Sequence, residues 1–481
     1  MPAAIVSGLL ALVLIGPRAV HAGGLLDMPG ASALVDEPLP TDRLIVKYRG
    51  SPAGAAPAAS ASERAALHRS AHDSAARLGL RMQWLRVGAL GLQVMKLERQ
   101  LAHADVQRLA RDIAANDAAV EYAEPDRIVT IAFTPNDTQY GQQWHYFEAT
   151  GGLNLPPAWD KSVGVGVTVA VIDTGYRPHA DLAQNILPGY DMIADALVAN
   201  DGDGRDASAL DPGDAVRAGE CGVGSPMQDK LSSWHGTHVA GIIAAVTNNS
   251  AGVAGAAFAA QVLPVRVLGT CGGYTSDMAA GIVWASGGSV PGAPANPTPA
   301  RVINLSLGGS GPCGGASSDA IAAARSRGTV VIAAAGNSNL DVANFSPANC
   351  AGVIAVAATN RGGGKAFYSN FGALIAVAAP GGDMSSGTAN GILSTFNNGA
   401  TVPGTDAYAH YQGTSMAAPH VAAVVALMLA KNAALTPDEV AARLKSSARA
   451  FPAACTQCGA GIVDASSAID AASGSAAPPG P

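Results

Sequence analysis

Charge is scarce in this sequence. Only 14% of its 481 residues are Asp, Glu, Lys or Arg, and aromatic residues make up 5%. With 48% apolar residues, so light a charge load excludes a disordered chain and fits a large buried core with a smaller companion domain. A basic excess is also missing. Residues 24–132 balance 13 basic against 13 acidic side chains, and residues 133–481 carry 15 against 23, so no basic patch points to nucleic acid. Cysteine is absent before residue 221, and all six lie beyond residue 133. The apolar run near the start, "AIVSGLLALVLIG", is too short to span a bilayer. With "PRAVHA" behind it, the stretch reads as a secretory signal over 1–22, cleaved after Ala22, although no basic residue precedes the run. A buried helix is the alternative. In an exported chain an even number of cysteines implies disulfides.

The remaining pattern divides the chain near residue 133. Between 42 and 129, "DRLIVKY", "LQVMKLE" and "VEYAEPDRIV" read as strands, with helical stretches near 61–78 and at "HADVQRLARDIAAN" and an Ala/Pro/Ser loop at 51–62. The unit over 23–132 is therefore small and α+β. From 133 to 472, the runs "VTVAVID", "QVLPVRVL", "RVINLSL", "TVVIAAA" and "GVIAVAA" read as strands buried on both faces. Helical patterns fall near 236–246, 277–286, 317–327, 415–430 and 436–447. The alternation predicts an α/β fold, a parallel sheet flanked by helices with function at the carboxyl ends of its strands. Residues 473–481 form a proline-containing tail.

Chemistry-bearing residues sit at the ends of these elements. Asp173 closes the strand "VTVAVID", where a carboxylate at an apolar tip needs a partner; a structural salt bridge would serve as well as catalysis. "SSWHGTHVAG" supplies His235 and His238 at a helix start. His238 falls within the apolar turn and reads as structural, whereas His235 lies outside the helix proper, free to reach other loops. Asn337 follows the strand "VVIAAAGN"; its amide could donate to a developing oxyanion, or simply occupy a turn. Ser415 opens the helix in "GTSMAAPHVAAVVALMLA", where a serine is either a cap or a nucleophile with a base in reach.

Taken together, "VAVIDTG", "HGTHVAG", "AAAGN" and "GTSMAAPHVA" resemble the four sequence blocks of the subtilisin-like serine proteases, in the chain order Asp, His, Ser. The resemblance covers 135–470. It implies Ser415 as nucleophile, His235 as general base, Asp173 as the residue orienting the imidazole and Asn337 in the oxyanion hole. Ser306, Leu307 and Gly308 of "NLSLGG" would pair with an extended protein or peptide substrate by β-addition, and Ala333, Ala334, Ala335 and Gly336 would line the opposite wall of the specificity pocket. Pro419 is expected in the helix's first turn. One departure is Ala423, where many relatives have glycine. The family also implies that 23–132 is an inhibitory prodomain of a secreted, monomeric endopeptidase with no stable membrane anchor, which removes that prodomain itself. The intact residue set disfavours a binding protein that has lost its chemistry, the strand "NLSLGG" disfavours an esterase, and His235 excludes the carboxyl-type peptidases on this fold.

Structural calcium follows from the same resemblance. "TNNSAGV" (247–253) is similar to the family's tight calcium loop, which implies Thr247, Asn249, Ala251 and Val253 as ligands with Asp181 and Asp137; an ordinary Asn/Gly turn is the alternative. The segment 191–214, with seven aspartates, is either a second calcium site or a solvated acidic loop. It begins like an EF-hand loop, but position twelve from Asp201 is Pro212. Three sequential bridges are expected, Cys221–Cys271, Cys313–Cys350 and Cys455–Cys458. The last pair, enclosing only "TQ", could also be a redox or zinc pair.

Overall fold

The structure is a computed structural model that describes residues 41–49, 68–127, 133–223 and 225–473. The signal stretch at 1–22, the 51–62 loop and residues 474–481 of the tail lie outside the described residues. The N-terminal unit contains β1 (Thr41–Tyr48), α1 (Arg69–Arg77), β2 (Met82–Val87), β3 (Gln93–Leu101), α2 (His103–Asn116) and β4 (Val120–Pro125). Its strands form one antiparallel sheet in the order β2-β3-β1-β4. Along β1, buried Leu44, Val46 and Tyr48 alternate with more exposed residues, the period-two signature of a sheet with one covered face. They pack with Val106, Leu109 and Ile113 of α2 into a core of their own.

The larger body is built on β5 (Thr168–Asp173), β6 (Tyr190–Asp191), α3 (His235–Ala244), β7 (Gln261–Arg266), α4 (Thr275–Ala285), β8 (Val302–Leu305), α5 (Gly315–Ser326), β9 (Val330–Ala334), β10 (Ile354–Thr359) and β11 (Ile375–Pro380). A hairpin of β12 (Ile392–Asn397) and β13 (Asp406–Tyr411) follows, then α6 (Thr414–Lys431), α7 (Pro437–Ser446) and α8 (Ala465–Ser473). The seven-stranded sheet runs β11-β10-β9-β8-β5-β7-β6 with every pairing parallel. Both faces are covered. Val169 and Val171 of β5 enter one core with α3 and α6, while Ala170 and Ile172 enter the other with α4 and α5. This explains why the strands read as unbroken apolar runs. From β5 the chain goes to β6 and β7 on one side, then crosses to β8 on the other. The resulting switch point, between β5 and β8, is where open parallel sheets place ligands.

Helix α6 is long and apolar enough to cross a membrane, yet 83% of it is buried here. It is apolar on every side because it is surrounded by protein.

Candidate active site

Asp173 ends β5 at the switch point and is wholly buried. Its Oδ1 accepts a hydrogen bond from Nδ1 of His235 at 2.8 Å and another from the Thr174 backbone N–H at 2.8 Å. The imidazole is presented by an unusual turn. Trp234, immediately before it, has φ 47°, a left-handed conformation that costs a non-glycine residue free energy. Burial of the indole and its Nε1–H bond to Gly399 O at 2.7 Å hold it there. Next in the chain, Gly236 has no room for a side chain: a Cβ would lie 2.0 Å from the Gly175 carbonyl oxygen. The His235 side chain remains 19% exposed at the mouth of the cleft. Burial alone would lower its pKa, but the charge and hydrogen bond of Asp173, with the fields of Asp214 and Asp211, outweigh burial and hold the imidazole above its ordinary value.

His238, one turn later, has the opposite surroundings. It is fully buried, stacks on Tyr411 with ring centres 4.8 Å apart and donates from Nε2 to Ala409 O at 3.0 Å. Burial pushes its pKa down to about 3, so it stays neutral.

Ser415 lies in the first turn of α6. Its hydroxyl donates to Ser306 O at 3.1 Å, just beyond the end of β8, and makes no hydrogen bond to the imidazole in this conformer; apo sites are often loosely aligned in this way. Pro419 is the sixth residue of α6 and so falls in its second turn, not its first. Having no N–H, Pro419 leaves the Ser415 carbonyl without its intrahelical donor. The Ser306 hydroxyl supplies the missing bond, donating to Ser415 O at 2.8 Å. The strand end and the nucleophile candidate are thereby tied in both directions.

Asn337 is exposed beside them. Its Oδ1 accepts from the Thr414 backbone N–H at 2.9 Å and the Thr414 hydroxyl at 2.8 Å. The backbone N–H can only donate, which fixes the amide with its oxygen toward Thr414. Thr414 Oγ1 also accepts the Gly336 N–H at 3.0 Å. Residues Ala333 to Gly336 are buried backbone beside it. Among Ser306, Leu307 and Gly308, strand β8 has already ended at Leu305, and the three continue beyond it along the cleft. Trp234 and Thr414 are residues that sequence reasoning did not single out, while Ser306, expected for its backbone alone, also contributes its hydroxyl. The "GTS" context of Thr414 was the one available signal.

The cleft, about 840 Å³, passes His235, with 306–310 on one wall and Leu268–Tyr274 on the other. A Cys221–Cys271 bridge borders it, a Cys313–Cys350 bridge joins the loops below 306–310, and Cys455–Cys458 closes a small clasp near the C-terminus. The aspartates of 191–214 largely face protein donors. Asp191 and Asp201 pair with wholly buried Arg266, Arg205 pairs with Asp277 at 2.9 Å, and Asp195 caps a short turn at Leu197 N.

Asp137 and Asp181 converge on the 247–253 loop. Asp137 Oδ2 accepts from Asn248 N at 2.8 Å, but its buried Oδ1 has no partner. Asp181 accepts from Asn249 Nδ2 at 2.6 Å and Val253 N at 2.9 Å. Burial raises both carboxyl pKa values, and for Asp137 the nearby Asp181 adds to it. Two buried carboxylates, an orphaned oxygen and a loop of carbonyls make a hard-oxygen donor set that fits calcium, provided that Asn249 turns its amide oxygen inward from its present bond to Ala251 N. Thr247 is bound within the loop, through its hydroxyl to Ala245 O. Among the described residues there is no cluster of three or more His, Cys, Asp or Glu able to hold a metal, so such a site would depend on these carbonyls.

A doubly covered parallel sheet, with a carboxylate, an imidazole and a helix-opening serine gathered at its switch point, defines a subtilisin-like serine peptidase. Residues 164–461 match the Subtilase family, and the chain belongs to that family. It is 52% identical over 434 residues to an extracellular protease of Xanthomonas campestris pv. campestris, covering 89% of this chain and 73% of the relative. An extracellular basic protease of Dichelobacter nodosus is 39% identical over 462 residues, covering 94% and 74% respectively. Among solved structures, a protease from Pseudoalteromonas arctica PAMC 21717 matches with a TM-score of 0.69 and 61% identity, over 71% of this chain and all of that one.

Proposed function

We propose that the protein is a secreted serine endopeptidase in which Ser415, His235 and Asp173 form the catalytic triad. The 2.8 Å Asp173–His235 bond at the cleft mouth carries this reading. It fixes Nδ1 as the protonated nitrogen and leaves Nε2 free to act as base. When a substrate lies along 306–308 and 333–336, the Ser415 hydroxyl rotates from Ser306 O to Nε2, and its oxygen attacks the scissile carbonyl as the proton passes to His235. The Ser415 backbone N–H, at the positive end of α6, and the Asn337 NH2 stabilise the oxyanion. His235 then protonates the departing amine, and water hydrolyses the acyl-enzyme by the reverse roles.

The reading extends to maturation. The 23–132 unit acts as an inhibitory prodomain removed by the enzyme itself, and the mature chain works as a monomer outside the cell. Extracellular relatives and the apolar N-terminal stretch support the export part of this reading. A structural calcium ion held by Asp137, Asp181, Asn249 and the carbonyls of Thr247, Ala251 and Val253 would bridge segments far apart in sequence. Casein clearing by the purified mature chain, abolished by a serine-reactive inhibitor, is the expected result. A Ser415→Ala chain is expected to keep its precursor size on a gel; maturation of that chain without added protease would contradict self-processing.

A further inference from the structure

Beneath the triad lies a carboxylate that this mechanism does not use. Asp211 is 1% exposed. Its Oδ2 accepts from the Thr174 hydroxyl at 2.8 Å and its Oδ1 from Gly213 N at 2.9 Å. Thr174 itself is placed between the two triad members. Its backbone N–H donates to Asp173 Oδ1 at 2.8 Å, and its Oγ1 accepts the backbone N–H of Gly236, the residue after His235, at 3.0 Å. Because a hydroxyl has one proton, donation to Asp211 fixes its rotor and turns a lone pair toward Gly236. The carboxylate therefore determines how the hydroxyl anchors the start of the His235 helix against the end of the Asp173 strand.

We propose that Asp211 is a positioning residue for the triad: through Thr174 it holds His235 in register with Asp173, and as a buried anion it favours the imidazolium that forms during acyl transfer. The inference rests on the triad assignment above. The groups facing Asp211 are few. Arg266 and Asp214 act on it by charge, in opposite directions. Arg177 Nη1 donates to its backbone carbonyl at 3.0 Å, and Tyr176 O accepts its N–H at 2.9 Å. His235 in turn faces Asp173, Asp214 and Asp211. Burial pushes the Asp211 carboxyl up to about 6, so it is ionised across the neutral and alkaline range in which the imidazole must work as a base.

Asp211→Asn keeps the shape but removes the charge and one of the two acceptor oxygens, so the Thr174 hydroxyl and the Gly213 N–H can no longer both donate to it. With a soluble peptide ester or anilide, kcat is expected to fall about 10- to 100-fold, the scale of a small misplacement of reacting groups, with KM little changed. The acid limb of kcat/KM is expected to move to lower pH, because loss of a neighbouring anion lowers the imidazole pKa. Thr174→Val should lose turnover to a similar degree and Thr174→Ser should recover it. In the Thr174→Val background, Asp211→Asn should cost less turnover than it does alone, the remainder being the lost effect of the anion on the imidazolium, and should still shift the limb. A folded Asp211→Asn enzyme with wild-type kcat and acid limb overturns the proposal, as does equal turnover in Thr174→Val and Thr174→Ser. Should Asp211→Asn not fold, the Thr174 pair decides. A wild-type chain that fails to hydrolyse any peptide substrate overturns the triad reading itself, a different outcome from the others.

Discussion

His235 and the group of His238, His145 and His420 occupy opposite electrostatic regions of one domain. His235 faces Asp173, Asp214 and Asp211, which raise its pKa against the opposing effect of burial. The other three are wholly buried, and burial is the largest cause of their lowered values, to about 3 for His238 and His420 and well below the usual value for His145. Hydrogen bonding fixes their neutral forms. Pro380 O can only accept, so His420 donates to it from Nδ1 at 3.0 Å and accepts at Nε2 from His145 Nδ1–H at 2.8 Å. That leaves His145 Nε2 buried without a partner. Imidazoles three residues apart can thus be held above or far below their ordinary pKa, depending on whether carboxylates are built around them.

The largest effects come from removing the reacting groups. Ser415→Ala and His235→Ala should each lower kcat by about 10⁶-fold, the loss known for subtilisin itself, where the pair acts as a unit. His238→Ala should instead keep most of its turnover per folded molecule and lose stability, read by thermal melting. Equal residual turnover in the two histidine variants would erase the distinction. Asn337→Leu should reduce kcat by about 10²–10³, again a magnitude taken from a subtilisin oxyanion donor, with KM nearly unchanged. A raised KM at constant kcat would make Asn337 a ground-state contact.

Much of this was legible in the sequence because the relevant residues sit at the boundaries of strongly patterned elements. Asp173 ends β5 and Ser415 lies in the first turn of α6, with expected and observed boundaries a few residues apart at most; His235, expected outside the helix proper, is instead the first residue of α3, because the left-handed Trp234 caps it. Among the strands that escaped notice, β11, "IAVAAP", is as apolar and buried as its neighbours, whereas β2 and the β12–β13 hairpin have weaker patterns. Most of β2, "MQWLRV", is exposed or half-exposed, so its apolar alternation is diluted. The β12–β13 hairpin is polar and half-buried along β13, and its inward groups face α3: the Ser394 and Thr395 hydroxyls donate to His238 O and Thr237 O at 2.7 and 2.8 Å. Long-range polar ties of this sort leave no periodic signal. The same applies to Ser306, whose partner Ser415 lies 109 residues away.

A smaller effect sharpens the histidine contrast through pH. A histidine whose pKa is lower in the fold than in the unfolded chain contributes stability that is fully present above about 6.5 and is lost as pH falls toward its folded value, by up to about 1.4 kcal/mol per unit. The raised carboxyls of Asp137, Asp181 and Asp211 act in the other direction over part of that range, so a single melting curve mixes the two. Comparison with His238→Gln separates them. The gap in thermal midpoint between wild type and variant should narrow from about pH 8 to about pH 5; parallel curves would mean that His238 takes up its proton in the fold.

Calcium is expected to give the smallest change. Asp137 and Asp181 are carboxylates buried close together, the reverse of an imidazole among aspartates, and a cation would relieve them. Chelation should lower the thermal midpoint by several degrees, consistent with about 2–3 kcal/mol of linkage at a ligand concentration near a hundred times Kd. Asp181→Ala should abolish most of that response. An identical midpoint with and without chelator would refute a structural ion.

The central claim, that His235 activates Ser415, is tested most directly by covalent labelling. The mature chain is treated with a fluorophosphonate at neutral pH and the modified residue is located by peptide mass spectrometry. A single adduct on Ser415, formed at the wild-type rate in His238→Gln and lost in His235→Ala, is the predicted result. An adduct on another serine, or labelling of Ser415 that proceeds undiminished without His235, would contradict it.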